Sequence, residues 1–169
     1  MAMIINLLQV QATELEAILR NPGLLELRVN EDKEDNGEGK VDLDKAWDGL
    51  LYLLTGYGIM DIEKAEQLLS QALFSGQIVD EAQDLGLGPA HYLTPIQVRN
   101  VYNRLERITE QDLRGRFNPG QMSELRIYPR MWDDADEDAF DYLRNNFHVM
   151  KDFYKSAATR RNGMITFLN

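Results

Sequence analysis

The chain has 169 residues, 28 acidic and 18 basic side chains, a net charge of −10 and no cysteine, and 44% of it is hydrophobic. That length fits one domain, residues 1–169, with enough apolar material to bury a core without disulfide or metal staples. With no Cys and only His91 and His148, zinc, iron–sulfur, CxxC redox and Cys-nucleophile chemistry lack their ligands or attacking groups, so no metal and no cofactor are expected.

Residues 3–10, MIINLLQV, are β-rich and apolar on both faces except at Asn6, and read as a strand. They are not a secretory signal, because no basic segment precedes them and Glu14 and Glu16 follow at once. Thr13-Glu-Leu-Glu16 is a capping box that predicts a short first helix with Leu15, Ile18 and Leu19 on one face. Residues 30–40, NEDKEDNGEGK, hold no large apolar side chain and predict an acidic surface loop. A calcium-loop register can be laid on Asp32, Glu34, Asn36 and Gly37, but its twelfth position is Leu43 where a bidentate carboxylate is needed.

Asp42 can cap a second helix whose inner face is Leu43, Trp47, Leu50, Leu51 and Leu54, ending at Thr55-Gly56. Its densest apolar run, Leu50 to Leu54, is far short of the roughly 20 residues a membrane span needs, so a cytoplasmic protein with no membrane partner is expected. Asp61 opens a third helix with Ala65, Leu68, Leu69 and Ala72 inward and Gly76 after it. Residues 90–93, AHYL, read as a strand between Gly-Pro and Thr-Pro punctuation. Thr94-Pro95-Ile-Gln97 combines a capping box with proline at the first helical position, and Val98, Val101, Tyr102 and Leu105 follow at helical spacing to about Arg107. Thr109 to Asp112 starts a short helix through Leu113 and Phe117, and Asn118-Pro119-Gly-Gln121 a further turn. From about Asp136, Phe140, Leu143, Phe147, Met150, Tyr154 and Ala157 fall at spacings of three and four, the pattern of a long core helix. After Gly163, residues 164–168 form a last strand that buries both faces. Strands at the start, middle and end among at least six helices predict a mostly helical α+β domain with one small sheet, not a βαβ alternation.

Few of these segments carry chemistry. The Gly56-Tyr-Gly58 and Gly86-Leu-Gly88 pairs continue into no phosphate-binding fingerprint, no GxSxG elbow occurs, and the acid run Asp133 to Asp138 suits a helix start better than a metal. Asp44 and Asp48, four apart beside Trp47, are the best carboxylate pair: partial burial would raise a pKa, whereas a solvated face would leave them inert. The aromatics Tyr92, Tyr128 and Trp132 lie at segment ends, where they either plug a core edge or line a binding surface. Residues 95–130 hold seven arginines, Arg99, Arg104, Arg107, Arg114, Arg116, Arg126 and Arg130, against four acids, and these can grip a carboxylate or phosphate, or pair with the acidic half, the preferred reading.

VDLDKAWDGLLYLLTG (41–56), GPAHYLTPIQV (88–98), IYPRMW (127–132) and the long last helix ending in a strand resemble the YfbM-like proteins, a bacterial family of small intracellular domains. The resemblance spans nearly the whole chain. It implies a compact mixed α/β domain and no reaction. Members often carry a histidine four residues after the motif tryptophan, and here that place is Leu51, which argues against any histidine-dependent activity.

Two functions follow as expectations. Residues 1–94 carry 17 acids and 6 bases, a net −11, while residues 95–169 carry 11 and 12, a net +1. A pI near 4.7 opposes nucleic-acid binding and suits a basic protein partner. The favoured reading is therefore a non-catalytic protein-binding or regulatory domain, immunity-like towards a partner such as a toxin-like nuclease. The alternative is a small-molecule-binding domain or hydrolase whose pocket gathers Asp44, Trp47, Asp48, Tyr92, Tyr128 and Trp132. If those residues form a folding centre instead, Trp47 and Tyr128 should be buried and both aspartates exposed. The sequence assigns no oligomeric state.

Overall fold

The computed structural model describes residues 1–31 and 39–169. The calcium register and most of the acidic loop fall on residues 32–38, outside the described residues. Of the described residues of that stretch, Asn30 and Glu31 are helical and Lys40 is in a strand, so its ends are not loop as their composition suggests.

Four strands, β1 (Ile5–Val10), β2 (Lys40–Asp42), β3 (His91–Leu93) and β4 (Gly163–Leu168), form one antiparallel sheet in the order β2-β1-β4-β3. The first and last strands are its central pair, in register from Ile5 opposite Leu168 to Val10 opposite Gly163. All six residues of β1 are buried, as a strand covered on both faces must be. One face meets Leu15, Ile18 and Leu25 with the 79–90 segment. The other meets the main core.

The helices are α1 (Ala12–Arg20), α2 (Gly23–Glu31), α3 (Trp47–Thr55), α4 (Gln67–Ser70), α5 (Pro95–Leu105), α6 (Glu110–Arg116), α7 (Pro119–Glu124) and α8 (Glu137–Arg160). The capping box expected at Thr94 forms, with Thr94 accepting from the Gln97 N–H, and α6 starts in the same way, with Thr109 accepting from the Asp112 N–H. Asp136 caps α8 by accepting from the Asp138 and Ala139 N–H groups. Phe140, Leu143, Phe147, Met150, Tyr154 and Ala157 are all buried along α8, as its periodicity requires.

The structure corrects three expectations and adds one helix. Helix α1 begins at Ala12, so Thr13 lies inside it and makes no cap. Helix α2, which buries only Leu25, has too weak an apolar stripe to announce itself. Asp42 ends β2 and accepts the Asp44 N–H at 3.1 Å, and a 3₁₀ turn (Asp44–Ala46) precedes α3. The predicted third helix is a 3₁₀ segment (Ile59–Lys64), an extended Ala65 and the single turn α4. Tertiary anchors at both ends override its helical pattern: the Ile59 N–H donates to Asp48, and the buried Tyr154 hydroxyl to the Ala72 carbonyl at 2.8 Å.

Candidate functional site

Helix α3 is the central positioning element. Every residue from Trp47 to Leu54 is buried, and the helix stops where Gly56 adopts φ +82°, a left-handed cap that side chains disfavour. Close packing reaches its backbone too: a Cβ on Gly49 would lie 2.7 Å from Leu143 Cδ2.

Trp47 is 3% exposed and its ring stacks on that of Tyr128, with centroids 5.2 Å apart, while Phe74 meets it edge-on. Their polar atoms converge on one residue. Trp47 Nε1 donates to the Met3 carbonyl, and the Met3 N–H donates to the Tyr128 hydroxyl, both at 3.0 Å. The stacked pair thus pins the approach to β1.

Asp48 is 2% exposed and spends both carboxylate oxygens on backbone. Oδ1 accepts from the Ile59 N–H at 2.7 Å and Oδ2 from the Tyr128 N–H at 2.8 Å. Burial raises its pKa, and the two N–H donors oppose that rise. Gly58 leaves the room this clamp needs, since a Cβ there would sit 2.4 Å from Ile127 Cδ1 and 3.1 Å from Asp48 Oδ1. Trp132 is fully buried nearby and donates to the Ile127 carbonyl at 2.9 Å.

Trp47, Asp48, Tyr128 and Trp132 therefore come together around α3 and the 127–132 segment. Asp44 and Tyr92 make none of these contacts. Asp44, at φ +48° in the 3₁₀ turn, does not share a helix face with Asp48, and accepts the Tyr142 hydroxyl at 2.7 Å. That contact adds to burial in raising the Tyr142 pKa. Tyr92 packs on the other side of the sheet with Leu8 and Phe167. The assembled group matches neither simple outcome: its two tryptophans are buried as in a folding centre, but Tyr128 is half-buried and Asp48 is buried with the tryptophans and occupied by two amides. Its chemistry is that of an internal clamp.

Of the two histidines, His148 lies 3.1 Å from Glu110 on the surface. His91 is edge-on to Phe74 and accepts the Gly76 N–H through Nδ1 at 3.1 Å, and burial lowers its pKa. Among the described residues, no group of three His, Asp or Glu could hold a metal ion, and no helix is long and apolar enough to cross a membrane.

A second concave region lies where the end of α3 meets α6 and α7. It consists of two clefts that share Thr55 and Arg116, one of about 310 Å³ beside Arg104, Glu66 and Asp112, the other of about 410 Å³ beside Tyr52, Asn118 and Gln121. Arg104 pairs through two nitrogens with Glu66, at 2.8 and 3.1 Å, so this arginine does meet the acidic half. Arg114 instead pairs with Glu137 and lies over the Phe140 ring. The arginine cluster was visible in the sequence, but Tyr52, Asn118 and Gln121 were not, because a core helix and a helix cap conceal their side-chain roles.

Comparisons with known proteins agree with this architecture. The model of a family described as a domain of unknown function (DUF1877) matches residues 1–167. Protein YfbM of Escherichia coli (strain K12) is 33% identical over 95 residues, 56% of this chain and 54% of that protein, so the match spans about half the length of that relative. The crystal structure of YfbM from Escherichia coli, titled a protein of unknown function, superposes with a TM-score of 0.72 at 20% identity, covering 98% of this chain and 99% of that one. That likeness establishes a shared fold. With nearly every residue inside the family model, and the motifs around Trp47 and Tyr128 built into one clamp, the chain belongs to the DUF1877 family of YfbM-like proteins.

Proposed function

We propose that this is a bacterial, cytoplasmic, non-catalytic binding domain that holds a basic protein on the layer formed by α1, α2 and the 79–90 segment. The observation that carries it is the charge of that layer. Residues 11–31 and 79–90 contain seven acids and two bases, a net −5, and both bases are paired within the layer, Arg28 with Glu14 at 2.9 Å and Arg20 with Glu16 at 4.0 Å. Gln83 ties the layer together by donating to the Pro22 carbonyl and to Glu26. Leu24 and Leu27 on α2, 37% and 60% exposed, supply apolar contact among the acids. A docking surface needs this combination, because charge steers and selects while buried apolar area supplies affinity. A toxin-like nuclease held in an immunity-like role is the kind of basic partner it suits. The clamp around Trp47 supports the absence of catalysis, since its polar atoms are already bonded within the chain.

The test is retention of a partner from a bacterial lysate by immobilised protein, at low and high salt. A basic protein should be held at low salt and released at high salt. It should be lost from the variant Glu16→Lys/Glu31→Lys/Glu81→Lys, whose three positions are exposed. A partner that ignores both salt and these charges, or no partner at all, refutes the proposal.

A further inference from the structure

The cleft of about 410 Å³ between the end of α3 and helices α6 and α7 is lined by Tyr52, Thr55, Gly56, Tyr57, Gly115, Arg116, Asn118 and Gln121, with no acidic side chain among them. In a chain with net charge −10, an acid-free concavity built round an arginine is a distinct electrostatic environment.

Its hydrogen-bonding capacity is one-sided. The Gln121 Oε1 accepts the Tyr52 hydroxyl at 2.6 Å, and the Asn118 Oδ1 accepts the Gln121 N–H at 3.1 Å as the cap of α7. Both amide oxygens are thereby engaged, which leaves the two NH₂ groups as donors. Arg116 donates through Nη1 to the Leu54 carbonyl at 3.3 Å, which anchors one arm of the fork. Among the described residues, no carboxylate lies within ion-pair distance of it. The two nearby acids feel its charge but spend their hydrogen bonds elsewhere: Glu66 is gripped by Arg104, and Asp112 accepts the Thr109 N–H at 2.8 Å. Gly56 admits the guanidinium, since a Cβ there would lie 3.4 Å from Nη1, and Gly115 leaves open space on the facing side. Tyr57, 37% exposed, offers a ring face at the rim.

We propose that this cleft binds the oxyanion group of a small organic acid or phosphate ester, held by the Arg116 fork and the Asn118 and Gln121 amides, with the ligand's carbon skeleton against Tyr57. A guanidinium beside two planar amides matches the paired acceptor oxygens of a carboxylate or phosphate. The volume is that of a small-molecule site. This reading is independent of the acidic layer, which lies on other elements.

The test uses three ring-matched probes, benzoate, phenyl phosphate and neutral benzamide, titrated into the ¹⁵N-labelled full chain. Benzoate or phenyl phosphate should saturably shift the side-chain resonances of Asn118, Gln121 and Arg116, and benzamide should not. A response to benzoate alone assigns a carboxylate, and to phenyl phosphate alone a phosphate. Arg116 is exposed, so Arg116→Gln should fold normally and weaken the responding anion at least tenfold, while Arg99→Gln, remote from this cleft, should leave it unchanged. No saturable shift with either anion, an equal response to benzamide, or unchanged affinity in Arg116→Gln overturns the proposal.

Discussion

Replacing Asp48 by Asn removes charge while preserving shape, and the geometry specifies what is lost. Two backbone donors, Ile59 N–H and Tyr128 N–H, face the two carboxylate oxygens at 2.7 and 2.8 Å. An amide has one oxygen, so one of those buried N–H groups would face an NH₂ donor instead. A buried donor left without its acceptor costs about 1–3 kcal/mol. For a domain of this size each kcal/mol moves Tm by about 2–4 °C, so the melting temperature should fall by about 2–12 °C. Asp48→Ala should cost more, because both donors lose their acceptor and a cavity opens. The pH dependence adds a sign. The folded-state pKa is raised above the ordinary 3.8, so, besides these hydrogen bonds, protonation of Asp48 adds a stability that is complete below 3.8 and is lost as pH rises through the folded value. The deficit of Asp48→Asn relative to wild type should therefore widen as pH is lowered from neutrality. Urea denaturation followed by the fluorescence of Trp47 and Trp132 reports the difference directly. If Asp48→Asn proves as stable as wild type, and Asp48→Ala no worse, the clamp does not hold the fold together.

Gly58→Ala should destabilise by about 1–3 kcal/mol through overpacking, because the new methyl would enter Ile127 Cδ1 at 2.4 Å; a thermal melt indistinguishable from wild type would contradict this. His91 accepts the Gly76 N–H through Nδ1, and its folded pKa lies below 6.5. Its contribution is therefore complete above 6.5 and is lost as pH falls through the folded value. Melting temperatures recorded between about pH 7 and 5 should show an acid-side loss that His91→Gln lacks; equal slopes for the two proteins would reject the assignment.

Local chemistry made much of the fold legible. Thr94-Pro95, Thr109 and Asp136 announce their helices because each cap is satisfied by residues three positions away or fewer, and α8 repeats its apolar side chains over its whole length. Where long-range contacts decide, sequence reasoning failed. Residues 61–72 carry a helical pattern, but Asp48, through Ile59, and Tyr154, through Ala72, hold the two ends of that segment in place. The candidate site was half legible. Trp47, Asp48, Tyr128 and Trp132 do assemble, as converging motifs suggested, yet nothing local shows that Met3 would occupy the polar atoms of Trp47 and Tyr128, or that Asp48 would face two amides. Asp44 was misjudged because its left-handed backbone breaks the helical spacing assumed between it and Asp48.

The sheet order β2-β1-β4-β3 has a consequence for biosynthesis. Val10 and Gly163 are neighbours in the central ladder although 153 residues separate them. At about 5–20 residues per second, a ribosome takes about 8–30 s to make that intervening chain. Throughout that interval β1, every residue of which is buried in the finished molecule, lacks its principal strand partner. Among the described residues only β2, three residues long, is available to it early. Closure of the sheet is consequently a late event in the life of the nascent chain, and the β1 strand spends the wait as an adhesive edge that a chaperone can cover.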